Sequence, residues 1–180
     1  MAFDTSPDLA RISLIRTAFL DCLITTQSPT LDFEQVVDFA NPAVLVQSFF
    51  SGEDNEVEFQ MHVQVTALNA DKQPLPVTGL FRLSFTFLVD NLADLLFLNP
   101  EQPKAGEVPN LPLTVALLGV AYSTARGMIL SKVEYTALSG FCLPLRSVRQ
   151  IIADSAVAQK TEAASPPPAA PKPKRAKKAQ

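Results

Sequence analysis

The stretch "EVEFQMHVQVTA", residues 56–67, carries the only histidine of this 180-residue chain, His62, between Gln60 and Gln64. An imidazole titrates near neutral pH and is the side chain best suited to general acid–base work. A general base also needs a nucleophile and an orienting carboxylate, and no Gly-x-Ser-x-Gly or comparable context supplies them. Glu56 and Glu58 beside it read as a solvated edge. Cys22 and Cys142 stand far apart in the chain with no Cys-x-x-Cys, which leaves neither a zinc set nor a disulfide framework, so both read as reduced thiols. None of the six glycines builds a loop able to cradle a phosphate. With no catalytic machinery in view, the expectation is a protein that is not an enzyme and holds no metal or cofactor.

His62 gets its place from a strand. Val57, Phe59, Met61, Val63, Val65 and Ala67 alternate with Glu58, Gln60, His62, Gln64 and Thr66, the pattern of a half-buried β-strand. "VTGLFRLSFTFLV" repeats it: Val77, Phe81, Leu83, Phe85, Phe87 and Val89 on one side, Thr78, Arg82, Ser84 and Thr86 on the other. "AVLVQSFF" precedes both, closed by the polar turn "SGEDN", so the three form an antiparallel meander. A fourth strand is expected from 18–27, and "SPDLARISLIRTAF" reads as a short helix to about residue 17, with Ser6 as N-cap and Pro7 at N1. "LDFEQVVDFA" fits helix or strand and ends at Asn41-Pro42.

Downstream, "DNLADLLFLNP" is short and apolar, and "EQPKAGEVPNLP" holds too much Pro and Gly for regular structure. "PLTVALLGVAYSTARGMILSK" then runs about five helical turns from Pro112, with Leu113, Leu117, Val120, Thr124 and Met128 as its stripe. "VEYTALSGFCLPL" reads as irregular or extended, and "RSVRQIIADSAVAQK" as a second helix. The fold class expected is therefore α+β: a four-stranded antiparallel sheet followed by a long helix and a second C-terminal helix, the helices on one face.

Apolar residues make up 47% of the chain, with twelve Phe and no Trp. Leu80 and Leu88 interrupt the polar side of the strand over 77–89, Phe50 breaks the alternation of its own, and "LADLLFL" adds more. A sheet with apolar residues on both faces oligomerises or binds something greasy. No window reaches the roughly 18 uninterrupted apolar residues of a membrane span. The start "MAFDTSPDLAR" lacks a basic segment leading into an apolar one, so a cytoplasmic protein is expected. Residues 1–159 hold 9 Lys and Arg against 17 Asp and Glu, a net of −8, while 160–180 hold 6 against 1, a net of +5. The acidic body argues against nucleic acid as its main partner. The segment 159–180, rich in Pro, Ala and Lys, reads as a disordered tail. Its cluster Lys172, Lys174, Arg175, Lys177 and Lys178 suits a tether to a polyanion such as a ribosome or an anionic surface.

The order of elements, together with three stretches, resembles SecB, the bacterial protein-export chaperone, and its SecB-like relatives over residues 18–158. "NEVEFQMHVQVTAL" has the register of that family's third strand. "AYSTARGMILSKVEYTALSGFCLPL" is similar to its long helix and the extended segment after it, at Ala125, Arg126, Ile129, Ser131, Val133 and Leu143. Pro144 stands where the family has a proline-containing run before its last helix. The extension 1–17 and the basic tail depart from the family pattern.

The resemblance implies an ATP-independent holdase that binds unfolded preproteins or nascent chains in hydrophobic grooves, for export with the SecA motor or for a dedicated client such as an antitoxin. It also implies a homotetramer, a dimer of dimers, with Gln60, His62 and Gln64 at an interface. Phe50, Leu88, Leu92, Leu95, Leu96, Phe97 and Leu98 are the residues expected to line or gate the client groove. The alternative is a small-molecule or lipid-binding α+β domain with an apolar pocket.

Overall fold

Strict alternation of apolar and polar side chains makes long strands here. The computed structural model describes residues 7–27, 33–98 and 107–164. The strands are β1 (Ile12–Thr26), β2 (Asp38–Phe39), β3 (Ala43–Ser51), β4 (Glu56–Leu68) and β5 (Pro74–Val89), followed by β6 (Leu96–Leu98) and β7 (Glu107–Pro109). Two helices complete the chain, α1 (Leu111–Val133) and α2 (Val148–Ala164). β3, β4 and β5 form the expected meander, and β1 returns to pair antiparallel with β5, giving the order β1-β5-β4. The far side of β4 carries both β2 and β3, so the sheet counts five strands. These two are one edge strand in two pieces: β2 faces Ala67 and Leu68, β3 faces Gln64 to Glu56, and Pro42, which has no N–H to give, sits in the break.

The expected helix over residues 7–17 does not form. Asp8, not Ser6, caps a single 3₁₀ turn at Leu9–Arg11, with its Oδ1 accepting from the Ala10 N–H at 3.0 Å. β1 begins at once at Ile12, opposite Val89, and runs through residue 18 without a boundary. Helix propensity is weak beside a full-length ladder, and Ile12, Ile15 and Thr17 are β-branched. Ser6 itself lies outside the described residues. "LDFEQVVDFA" resolves into a 3₁₀ turn, Phe33–Gln35, and the short β2. Within "EQPKAGEVPNLP", the residues 107–109 do form a strand, pairing with β6 as a small hairpin.

One face of the sheet is dry. Val57, Phe59, Met61, Val63, Val65 and Ala67 of β4 are buried, as are Val77, Phe81, Leu83, Phe85, Phe87 and Val89 of β5. α1 covers them, but of the stripe read from the sequence only Leu113 and Leu117 are buried. The buried residues are Leu113, Leu117, Leu118, Ala121, Tyr122, Ala125, Ile129 and Val133, while Val120 is exposed and Thr124 and Met128 are half-buried. α1 is apolar nearly all round, so periodicity alone did not select a face; Ala121 and Ala125 let the helix sit close to the sheet. It is the one described helix long and apolar enough to cross a membrane by length and composition, with a mean hydropathy of 1.5. Asn110 caps it, its Oδ1 accepting from the Leu113 N–H at 2.9 Å.

After α1 the chain turns back along it. The Arg126 Nε donates to the Leu143 carbonyl at 2.7 Å and the Tyr122 hydroxyl to the Pro144 carbonyl at 2.8 Å. Burial pushes the Tyr122 hydroxyl above its ordinary value, which keeps it a donor. The irregular reading of this segment holds, and its Ala137, Leu138, Phe141 and Leu143 seal the core. α2 then lies against β3 and continues to Ala164, past the boundary placed at 158. The tail cluster 172–178 lies outside the described residues.

Gly79 shows how tight this packing is. A Cβ there would stand 2.5 Å from the Leu138 Cδ1 and 2.8 Å from the Phe81 Cε2, both fully buried side chains. Gly79→Ala should lower stability by about 1–3 kcal/mol in chemical denaturation. Gly127→Ala, in α1 with no atom within 4 Å of the added carbon, should raise it by about 0.5–1 kcal/mol. Equal effects from both would mean that Leu138 does not fill the hollow.

Candidate functional site

In an antiparallel pair, alternate residues of an edge strand turn their N–H and C=O away from the neighbour. Val46 is such a residue, because its N–H is taken by the Ser155 Oγ of α2 at 3.0 Å. The alternation then makes Ser48 and Phe50 outward-facing too. Among the described residues nothing bonds their outward N–H groups. Among the described residues α2 bonds the β3 edge at Val46, and Ser48 beyond it is exposed.

Beside that edge lies a cavity of about 170 Å³ between β3, β4, the first two turns of α1 and α2. Val46, Phe59, Leu118 and Ile152 form its apolar wall, and Ser48, Thr114 and Ser155 supply hydroxyls. None of the lining residues titrates. The arrangement can bury an apolar side chain and hydrogen-bond an extended backbone running past it; its lining holds no acid or base to activate the hydroxyls. A second depression, about 410 Å³, opens at the end of α1 among Gly127, Leu130, Ser131, Glu134, Ser139 and Gly140. It is an open dish with one large apolar side chain.

The seven residues expected to line a client groove are not brought together. Leu92 and Leu95 belong to the core, 0% and 2% exposed, because positions i and i+3 of their 3₁₀ turn point the same way, inward. Phe50 is half-buried on the helix side of β3, on the open edge itself. Leu96 is half-buried near the Gly52 turn, Phe97 is 43% exposed on the β6–β7 hairpin, and Leu98 is placed in β6 opposite Glu107. Leu88 is half-buried on the opposite face of the sheet, beside Glu56 and Ser13.

That opposite face holds Gln60, His62 and Gln64 in a row on β4. It is less wet than its residue types imply. Ser84 and Thr86 are buried there, the Ser84 hydroxyl donating to the Glu58 Oε1 at 2.7 Å and the Arg16 guanidinium reaching the Thr86 Oγ1 at 3.3 Å. The Gln60 Nε2 donates to the same Glu58 oxygen at 3.1 Å. This network ties β1, β5 and β4 together across the face.

Sequence reading missed Ser48 and Ser155. The signal was present: each interrupts an apolar row, Val44-Val46-Ser48-Phe50 in β3 and Val148-Ile151-Ile152-Ser155 in α2. A hydroxyl at such a position marks a backbone group that needs a partner.

The elements define the SecB-like α+β fold. Among solved structures, the SecB-like chaperone Rv1957 of Mycobacterium tuberculosis, in complex with a ChAD peptide from the Rv1956 HigA1 antitoxin, is similar at a TM-score of 0.52. The two are 12% identical, and the match covers 77% of this chain and 93% of that one. No family model matches the sequence, and no curated protein does.

The thiols give a check on the placement of β1. Cys22 is half-buried on the helix side of β1, where burial pushes its thiol up, with Lys132 opposing and Asp21 adding to the shift. Cys142 is exposed, with its Sγ 3.7 Å from the Arg126 guanidinium. At pH 8 an alkylating reagent should modify Cys142 first and Cys22 much later, because the thiolate is the reactive form. Equal rates, read by mass spectrometry, would mean that β1 leaves the sheet readily.

Proposed function

We propose that the chain is a holdase chaperone that captures unfolded polypeptides without nucleotide, by adding an extended client segment to the open edge of β3. The observation that carries this reading is a pair of outward N–H groups, at Ser48 and Phe50, that nothing bonds among the described residues, beside an apolar, hydroxyl-rimmed cavity. Strand addition draws its affinity from main-chain hydrogen bonds, which every sequence offers, and a side-chain pocket adds a preference for apolar residues. Burial at about 25 cal/mol per Å² strengthens each contact without demanding one sequence. The likeness of fold to a chaperone solved with an antitoxin peptide supports the reading. The clients are preproteins or nascent chains in the cytoplasm, for export through the SecA motor, or one dedicated client such as an antitoxin. A cavity of about 170 Å³ is smaller than the roughly 300–1,000 Å³ of small-molecule sites, which weighs against a carrier of lipid or metabolite.

Light scattering of an aggregating client, at near-stoichiometric chaperone, tests the holdase reading. Ser48→Pro removes an outward N–H at an edge position where proline is tolerated. It should weaken binding of a short fluorescein-labelled peptide of alternating leucine and serine about tenfold, and aggregation protection with it, at unchanged far-UV circular dichroism. Protection by Ser48→Pro equal to wild type would move the site elsewhere, to the exposed Phe97 first. No protection by the wild type would end the holdase reading.

The assembly proposed is a homotetramer, a dimer of dimers. Gln60, His62 and Gln64 are one candidate interface. Exposed apolar side chains support assembly as well: Leu14, Ile15, Leu20 and Leu23 on the edge strand β1, and Val120 and Leu130 on α1. The basic cluster at 172–178 serves as a salt-sensitive tether to ribosomes or anionic surfaces. Truncation after Ala164, which spares α2, should leave a tetramer in sedimentation but abolish low-salt co-sedimentation with ribosomes and anionic vesicles. A full-length monomer at micromolar concentration would overturn the assembly, and identical co-sedimentation of both chains would overturn the tether.

A further inference from the structure

Ser155 is in the wrong place for a serine unless its hydroxyl is used. It stands in the middle of α2, where serine is a poorer helix former than alanine. It also continues the apolar row Val148, Ile151 and Ile152 that faces the sheet, and it is 5% exposed. Its Oγ lies 3.0 Å from the Val46 N–H, the last outward donor on β3 before the open stretch begins at Ser48. An extended chain added to β3 would present backbone carbonyls to the outward N–H groups at every second residue. Among the described residues nothing fills those positions at Ser48 and Phe50. At Val46 the position is already filled, by a side-chain oxygen from a helix.

We propose that Ser155 is a built-in competitor of the client: its hydroxyl occupies the Val46 N–H that a client carbonyl would otherwise take. The inference rests on the edge of β3 being the client site. Its consequence is an affinity held below what the bare edge would give. In the free protein Val46 is satisfied by Ser155, so extending the client ladder past Ser48 exchanges one hydrogen bond for another and gains little. The same contact fixes α2 beside β3, so a client that takes Val46 loosens the helix forming one wall of the cavity. Weak, exchangeable contacts suit a protein that has to release its client.

The sign of the test follows. Ser155→Ala leaves the Val46 N–H without that acceptor in the free protein, but not once a client carbonyl has arrived. The variant should melt earlier than wild type yet bind the labelled leucine–serine peptide about tenfold more tightly. Ser155→Thr keeps the hydroxyl, has the cavity to receive its methyl group, and should bind as wild type does. Ser155→Cys, a weaker acceptor of similar volume, should shift affinity in the sense of alanine and serves where alanine unfolds. Hydrogen exchange gives a second readout: the Val46 amide should exchange faster in free Ser155→Ala than in wild type, and peptide should restore its protection. Equal or weaker binding by Ser155→Ala, with binding by the wild type intact, overturns the competitor and leaves the edge site standing. Tightening by Ser155→Thr equal to that of alanine overturns it too, since the hydroxyl would then play no part. Absence of binding by the wild type overturns both.

Discussion

The inner row of β4, from Val57 to Ala67, is buried at every second residue, and the other elements take their positions from it. β5 and β3 pair with it residue for residue, so their own alternation is locked to the same face. A slip of β4 by one residue would turn Phe59, Met61 and Val63 to the other side, away from the Phe81, Leu83 and Phe85 that pair with them. The aromatic rings are held in this register: Phe59 and Phe87 meet edge to face at 6.2 Å between centroids. Gly79 then leaves room for Leu138, which brings the segment after α1 onto the sheet. Through Phe141, packed edge to face on Phe39 at 5.2 Å, the same segment closes over the short β2.

A sheet built this way keeps two edges, and the chain treats them differently. β1 is a long edge strand with two irregularities, between Leu14 and Arg16 and between Phe19 and Asp21, of the kind that twists an edge away from regular pairing. β3 is broken by Pro42 at one end and bonded by α2 at Val46, and among the described residues nothing bonds its outward N–H groups beyond that point. Open backbone on an edge strand is a hazard for any sheet, since it templates pairing with other chains. Here that hazard coincides with the cavity whose wall is Phe59, Leu118 and Ile152. The coincidence is what separates the β3 edge from the other exposed apolar surfaces of the molecule.

Much of the frame was legible because β periodicity is strict. The buried rows of β4 and β5 were readable residue by residue, and so was the succession of strands before helices. The face of α1 was not: a helix apolar on all sides gives no phase, and the sheet selected Ala121, Ala125 and Ile129 over Val120, Thr124 and Met128. β1 was misread at its start because the pairing that makes it a strand comes from residues 77–89, far along the chain. The burial of two expected groove residues was not legible for a related reason. A run such as "LADLLFL" is apolar whether it enters the core or lines a surface, and Leu92 and Leu95 entered the core. The cleft itself is marked by serines, which composition passes over.

That contrast bears on why a likeness of fold coexists with 12% identity. The frame depends on where apolar residues fall, and Val, Phe, Met and Leu exchange within a row at small cost when volume is conserved. A site built from backbone groups leaves an equally faint trace, because every residue except proline supplies an N–H. What the sequence must specify is where backbone stays uncovered and which side chains substitute for a strand where it is covered. In this chain those decisions rest on two polar residues: Ser48 at the rim of the cavity, and Ser155 against Val46. Such positions do not show in hydrophobic patterning. They appear only when each outward N–H of an edge strand is followed to its partner, and here following Val46 leads to a serine in the apolar row of α2.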